Sequence, residues 1–202
     1  MRRFHLSAPV KASAFGTDNH EPVVGLATTS ADFPTALICG TVLISWMEES
    51  MGDFTWEDPG ILEDNELVLV LAERAEADPS RGYVPAYRFQ MHVTTEASHM
   101  GNIDLRVGDT NQLRMFSGHI AYGVHPEHRG HHYAARSCLL LLPLAKLHGI
   151  TDLWITCNPD NWASRRTCEL AGAQFVEIVN LPEESDMYER GERAKCRYRI
   201  TL

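Results

Sequence analysis

The chain lacks any excess of positive charge. Over 202 residues, 18 Lys and Arg stand against 27 Asp and Glu, a formal net charge of −9. A nucleic-acid binder would be expected to carry a basic patch, so that class is set aside. Long apolar runs are missing too: the longest, residues 36–47, is about half of what a membrane span needs. Met1-Arg2-Arg3 opens like a signal peptide, but Lys11, Asp18, His20 and Glu21 arrive where an apolar segment would have to follow. Five cysteines, Cys39, Cys138, Cys157, Cys168 and Cys196, are odd in number and form no C-x-x-C pair. Reduced, mostly buried thiols in a soluble cytoplasmic protein are therefore expected, rather than a disulfide framework or a zinc knuckle. Neither a Gly-x-x-x-x-Gly-Lys-Ser/Thr phosphate loop nor a Gly-x-Ser-x-Gly nucleophile elbow occurs, and there is no internal repeat.

What remains is ordinary globular material, 44% hydrophobic and 22% charged. Its length suits one well-buried domain better than two. Residues 4–10 read as a first strand, and 32–50 mix strand and helix signals. Residues 53–65, acidic and holding Pro59-Gly60, read as a loop. Residues 66–77 carry good helix formers and stop before Asp78-Pro79, which predicts a helix. Three strands are predicted over 87–94, 101–107 and 118–124, with turns at 96–99 and 108–112, as in an antiparallel meander. A helix over 130–148 follows, ended by Gly149. Pro143 inside it should kink the axis, and leucines at 139–142 and 144 leave hardly any polar face, so it should be covered on most sides. A strand (152–157), a helix (161–171), a strand (174–180), an acidic loop (182–191) and a last strand (195–202) complete the chain. This order describes an α+β fold with a mixed, mostly antiparallel sheet flanked by helices.

The most informative stretch is residues 125–134, His-Pro-Glu-His-Arg-Gly-His-His-Tyr-Ala. It joins a predicted strand to a predicted helix through a glycine-containing turn. Such a junction leaves backbone N–H groups unpartnered at the positive end of the helix dipole, which suits a phosphate or pyrophosphate. Arg129, His132 and Ala134 fall on the pattern Arg/Gln-x-x-Gly-x-Gly/Ala, and the turn resembles the acyl-CoA pyrophosphate loop of the GNAT superfamily of N-acetyltransferases. His132 stands where that family usually has glycine.

A second segment agrees. Asp152-Leu-Trp-Ile-Thr-Cys-Asn158-Pro-Asp-Asn161-Trp-Ala-Ser164 is a strand, a turn and a capped helix start. Asn161 and Ser164 match the family's Asn-x-x-Ser/Ala beside the pantetheine arm. Glu169, Gly172 and Phe175 follow near the spacing of its Glu-Lys-x-Gly-Phe ending, with Ala173 inserted. Gly82-Tyr-Val-Pro85, Gly118-His-Ile-Ala-Tyr-Gly-Val124 and Arg197-Tyr-Arg-Ile200 are similar to strings in a poorly characterised group of predicted acetyltransferases. The resemblance covers residues 81–202, a GNAT-like core, and leaves 1–80 as a divergent N-terminal part of a single acyltransferase domain, 1–202.

The resemblance implies the GNAT-like fold and direct transfer of an acetyl group from acetyl-CoA, the cosubstrate, to an amine in a ternary complex, without a metal. Arg129, Gly130, His131, His132, Tyr133 and Ala134 would hold the diphosphate, and Asn161 and Ser164 the pantetheine. Val124, by position, matches the family's backbone donor to the thioester oxygen. The acceptor is a small-molecule amine or a peptide or protein amine; nucleic acid and membrane are not expected partners, and a homodimer is compatible because many relatives pair. A lysine-like amine is neutral to only about one part in a few thousand at pH 7, a barrier of roughly 4–5 kcal/mol, so a base is called for. His119 and Tyr122 on the strand, with His125 and Glu127 after it, are the candidates. Cys168 stands where many relatives place a tyrosine that reprotonates CoA, which leaves the general acid to a water or Tyr133. The four histidines at 125, 128, 131 and 132 match no standard zinc spacing. A non-catalytic acyl-CoA-binding or regulatory module on the same fold is the alternative that His132 and Cys168 favour.

Overall fold

A computed structural model of the chain describes residues 54–94 and 99–202; the strand expected over 4–10, the mixed segment 32–50 and Cys39 lie outside them. Among the described residues eight strands form one sheet in the order β1-β2-β3-β4-β5-β6-β8-β7. They are β1 (Leu62–Asp64), β2 (Leu67–Ala75), β3 (Ala86–Val93), β4 (His99–Arg106), β5 (Ile120–Val124), β6 (Asp152–Cys157), β7 (Gln174–Asn180) and β8 (Ala194–Thr201). The helices are α1 (Tyr133–Leu147), α2 (Trp162–Leu170) and the single turn α3 (Asp186–Glu189). Neighbouring strands are antiparallel throughout, except for the parallel pair β5 and β6. The meander and the later strands and helices fall where periodicity places them, with the start of α1 the largest shift.

The helix expected over 66–77 is instead the strand β2. Leu67 and Leu69 are buried while Val70 is exposed, a period of two that outweighs the helix formers further along. Part of the expected loop 53–65 is strand β1, because Asn65 takes a left-handed φ of 53° and closes a two-residue hairpin onto β2. Between β4 and β5 the expected turn is extended by a wide helical turn, Leu113–Ser117.

One sheet face is apolar. Tyr87, Phe89 and Met91 of β3 with Ile103 and Leu105 of β4 lie beneath α1, which contributes Cys138, Leu141, Leu144 and Ala145 to the same core. Polar Arg88, Gln90 and His92 alternate onto the other side of β3. Arg136 ties α1 to the first hairpin, donating to Asp64 Oδ2 and Glu66 Oε1 at 2.6 Å each. The expectation that α1 is covered on most sides is corrected: Leu139 is 46% and Leu147 63% exposed, on the same face as exposed Pro143. Pro143 does not end the helix.

Gly101 marks the tightest approach in the sheet. A Cβ there would lie 2.1 Å from the Gly123 carbonyl oxygen, a backbone atom that cannot swing away. Gly101→Ala is expected to cost about 3 kcal/mol or more of folding stability, measurable by chemical denaturation; an unchanged midpoint would show that the β4–β5 contact is looser than described.

Candidate active site

The sheet opens between β5 and β6. They pair only at Ile120 and Ile155, just after His119 N–H donates to the Trp154 carbonyl at 2.7 Å. Gly118 makes this junction possible, since a Cβ there would sit 3.0 Å from the Trp154 carbonyl oxygen and its φ is 68°. Arg106 N donates to His119 O and His125 N to Met100 O, so the odd-numbered residues of β5 bond to β4. The amides of Tyr122 and Val124 therefore point the other way, into the gap left by β6.

After β5 come one 3-10 turn, Pro126–His128, and then Arg129, Gly130 and His132. Gly130 has φ 90°, and a Cβ there would meet nothing. His132 is the N-cap of α1, left-handed at φ 59° and ψ 20°. That conformation explains the family's glycine here; a histidine holds it at a cost of about 1–2 kcal/mol. No side chain caps the helix, and its first internal bond runs from Arg136 N to His132 O. The amides of Tyr133, Ala134 and Ala135 thus have no partner within the helix. Arg129 folds back so that Nε donates to Val124 O at 3.1 Å. His131 and His132 are both exposed, and the His131 ring stacks on Tyr133 at 5.4 Å.

A cavity of about 430 Å³ lies against this terminus. Of the expected cofactor-binding residues, all but His131 line it. Asn161 caps α2, its Oδ1 accepting from Ser164 N at 3.0 Å, so the Asn-x-x-Ser spacing is a helix cap as well as a cavity wall. A second cavity of about 330 Å³ shares Tyr122, Asn161 and Ser164 with the first.

The candidate catalytic residues separate. Tyr122 lines both cavities, its hydroxyl 2.8 Å from Ser164 Oγ and 3.9 Å from Cys168 Sγ. Burial holds its pKa far above the ordinary phenol value, so it keeps its proton and cannot serve as a base. His119 is 1% exposed and lines neither cavity. Its Nδ1 accepts from Trp154 N at 2.9 Å and its Nε2 donates to Gly108 O at 3.0 Å, so the expectation of a base here is corrected to a structural strut. Glu127 is exposed in the 3-10 turn and lines neither cavity, and the His125 ring packs against His99 at 4.9 Å. Cys168 is fully buried, and its contact with the Cys157 thiol and burial both push its pKa up. Cys157, inside the Asp152–Ser164 segment but given no role there, lines the second cavity. Among the described residues no group of three or more His, Cys, Asp or Glu converges as a metal site.

A sheet parted beside an uncapped helix start leaves unpartnered N–H donors against a cavity, an arrangement suited to an anion. The sequence of residues 43–174 matches the acetyltransferase (GNAT) domain family, and the protein belongs to that family. Among solved structures it shares the fold of RimL, a ribosomal-protein alpha-N-acetyltransferase, at 16% identity and a TM-score of 0.51 over 70% of this chain and 98% of that one. A ribosomal-protein-alanine acetyltransferase from Vibrio fischeri aligns at 14% identity and TM-score 0.47 over 57% of this chain. The microcin C7 self-immunity acetyltransferase MccE, in a complex with acetyl-CoA and AMP, aligns at 13% and 0.45 over 58%. The chain spans 61% of the length of each of these last two. A search of curated protein sequences gave no match.

Burial pushes the His119 pKa below its ordinary value near 6.5. The neutral ring therefore stabilises the fold above about pH 6.5, and that stability is lost as pH falls from there through the depressed folded-state value. His148, also lowered by burial, adds to the same window. His119→Gln keeps an acceptor for Trp154 N and a donor for Gly108 O without titrating. Denaturation midpoints between pH 7 and 5 are expected to fall less steeply in this variant than in the unaltered protein; parallel curves would remove His119 from the acid response.

Proposed function

We propose that the protein is a cytoplasmic N-acetyltransferase that moves an acetyl group from acetyl-CoA directly to a primary amine. The observation that carries this reading is the uncapped start of α1 beside the β5–β6 gap. N–H donors at 133–135 suit a diphosphate, and Gly130 leaves room for its approach. Acetyl-CoA supplies the activated thioester. Arg129, Gly130, His132, Tyr133 and Ala134 hold its diphosphate, and Asn161 and Ser164 border the pantetheine arm. The Val124 N–H, turned into the gap, meets the thioester oxygen and stabilises the negative charge that develops there.

The amine attacks from the second cavity. One proton must leave nitrogen and one must reach sulfur. Ser164 and Tyr122, whose hydroxyls are in contact and which border both cavities, pass it: Tyr122 gives its proton to the departing sulfur while Ser164 refills it from the amine side. Neither hydroxyl becomes an anion in such a relay, so the high pKa of Tyr122 is no obstacle. The acceptor is a peptide or protein amine, as the name of RimL states for that enzyme, or a small-molecule amine.

Tyr122→Phe leaves the cavity shape intact and is expected to lower kcat about 10²-fold, with the KM for acetyl-CoA within about twofold. The assay is thiol release over a panel of amines. Undiminished turnover in the variant would take Tyr122 out of the reaction. CoA binding with no thiol release by the unaltered protein would favour the alternative, a non-catalytic acyl-CoA-binding module.

A further inference from the structure

The second cavity reverses the charge of the molecule. In a protein of net charge −9, its wall presents Arg106, Arg190 and Lys195 against a single carboxylate, Glu192. Glu192 is committed to Lys195, and Arg190 to Asp186 at 2.9 Å. Lys195 donates its other bond to Asn158 Oδ1 at 2.8 Å. Arg106 differs: its Nη1 donates to the carbonyls of Ser117 at 2.7 Å and Gly118 at 3.1 Å, not to a carboxylate. The cavity is thus walled on one side by a half-buried guanidinium whose hydrogen bonds are to neutral groups. Asp104, the carboxylate nearest it in charge effect, is itself half-buried, and that desolvation raises its pKa.

The placement matters because this cavity meets the other at Tyr122 and Ser164. An amine arriving there as an ammonium ion would be repelled by the Arg106 guanidinium, whose hydrogen bonds go to carbonyls while Lys195 and Arg190 are paired with carboxylates, unless it carried a compensating anion. Once it is held, the positive charge of Arg106 lowers the pKa of the amine and favours its neutral, nucleophilic form. With His119 walled off and Glu127 outside, the ammonium proton passes to solvent under this charge, and the neutral amine's second proton enters the Ser164–Tyr122 relay. We propose that the acceptor is an amine with its own anionic group, a carboxylate or phosphate, a few bonds from the nitrogen, held by Arg106 with Lys195. The inference rests on the transferase reading above and names the chemical class of its acceptor. Both a free metabolite and an acidic peptide N-terminus carry that chemistry, whereas purely cationic amines do not.

Two matched pairs of acceptors test this and separate the sources: O-phosphoethanolamine against ethanolamine, and the amide of Ser-Asp-Glu against that of Ser-Lys-Lys. The anion-bearing member of at least one pair is expected to have a kcat/KM about tenfold or more above its partner. Arg106→Gln should erase that preference with the KM for acetyl-CoA unchanged; Lys195→Gln serves if the first variant does not fold. Equal or reversed preference in both pairs would overturn the inference while leaving the transferase reading intact. If no acceptor is turned over, the N-acetylated peptide amides are titrated into CoA-saturated protein. Tighter binding of the acidic product would then uphold the cavity's selection of an anionic group while the absent turnover counts against the transferase reading; equal binding, or none, would end the inference.

Discussion

The whole site depends on one pairing between β5 and β6. Parallel strands held along their length would close the sheet and leave no slot. Here the contact is confined to Ile120, the first residue of β5, and Ile155, within β6. From that point β5 stays bonded to β4 while its even-numbered amides look into the opening. The gap therefore supplies both space and a row of oriented donors. Gly101 and Gly118 serve this arrangement by allowing backbone to approach backbone where a side chain would force the strands apart.

The second requirement is a helix that begins without a cap. Ser, Thr, Asp or Asn at the N-cap of α1 would satisfy one of its amides internally. His132 does not, and its left-handed conformation turns the chain sharply into the helix. α2 shows the contrast: Asn161 caps it, so that helix contributes side chains to the cavities rather than amides. Two helix starts of opposite character thus border one cavity, one presenting backbone N–H groups and the other the Ser164 hydroxyl. Tyr122 spans them from the strand, and its hydroxyl comes to within reach of the position that Cys168 occupies in α2.

Local signals made the later part of the fold legible. Residues 152–157 and 174–180 are strands with the boundaries that periodicity assigns, and the Asn161–Ser164 cap is visible as a spacing. The strand-to-helix turn at 125–134 was legible for the same reason: strand, turn and helix start are contiguous in sequence. Residues 66–77 misled because their helix formers are local, whereas the strand they form is imposed by the partner β3. His119 misled differently. Histidine has a suitable pKa for a base, but only the folded position of Trp154 and Gly108 shows both ring nitrogens occupied. The cationic cavity was not legible at all, since Arg106 and Lys195 come from distant strands and no motif joins them.

The central claim is that the free amides at the start of α1 hold the diphosphate of a CoA thioester. Amide ¹H–¹⁵N shifts recorded during a CoA titration test it most directly. Saturable shifts concentrated at Gly130 and residues 132–135, with Val124 and Ser164 following, are the expected result. Saturation of CoA binding with those resonances unmoved, and shifts clustered elsewhere, would contradict the account.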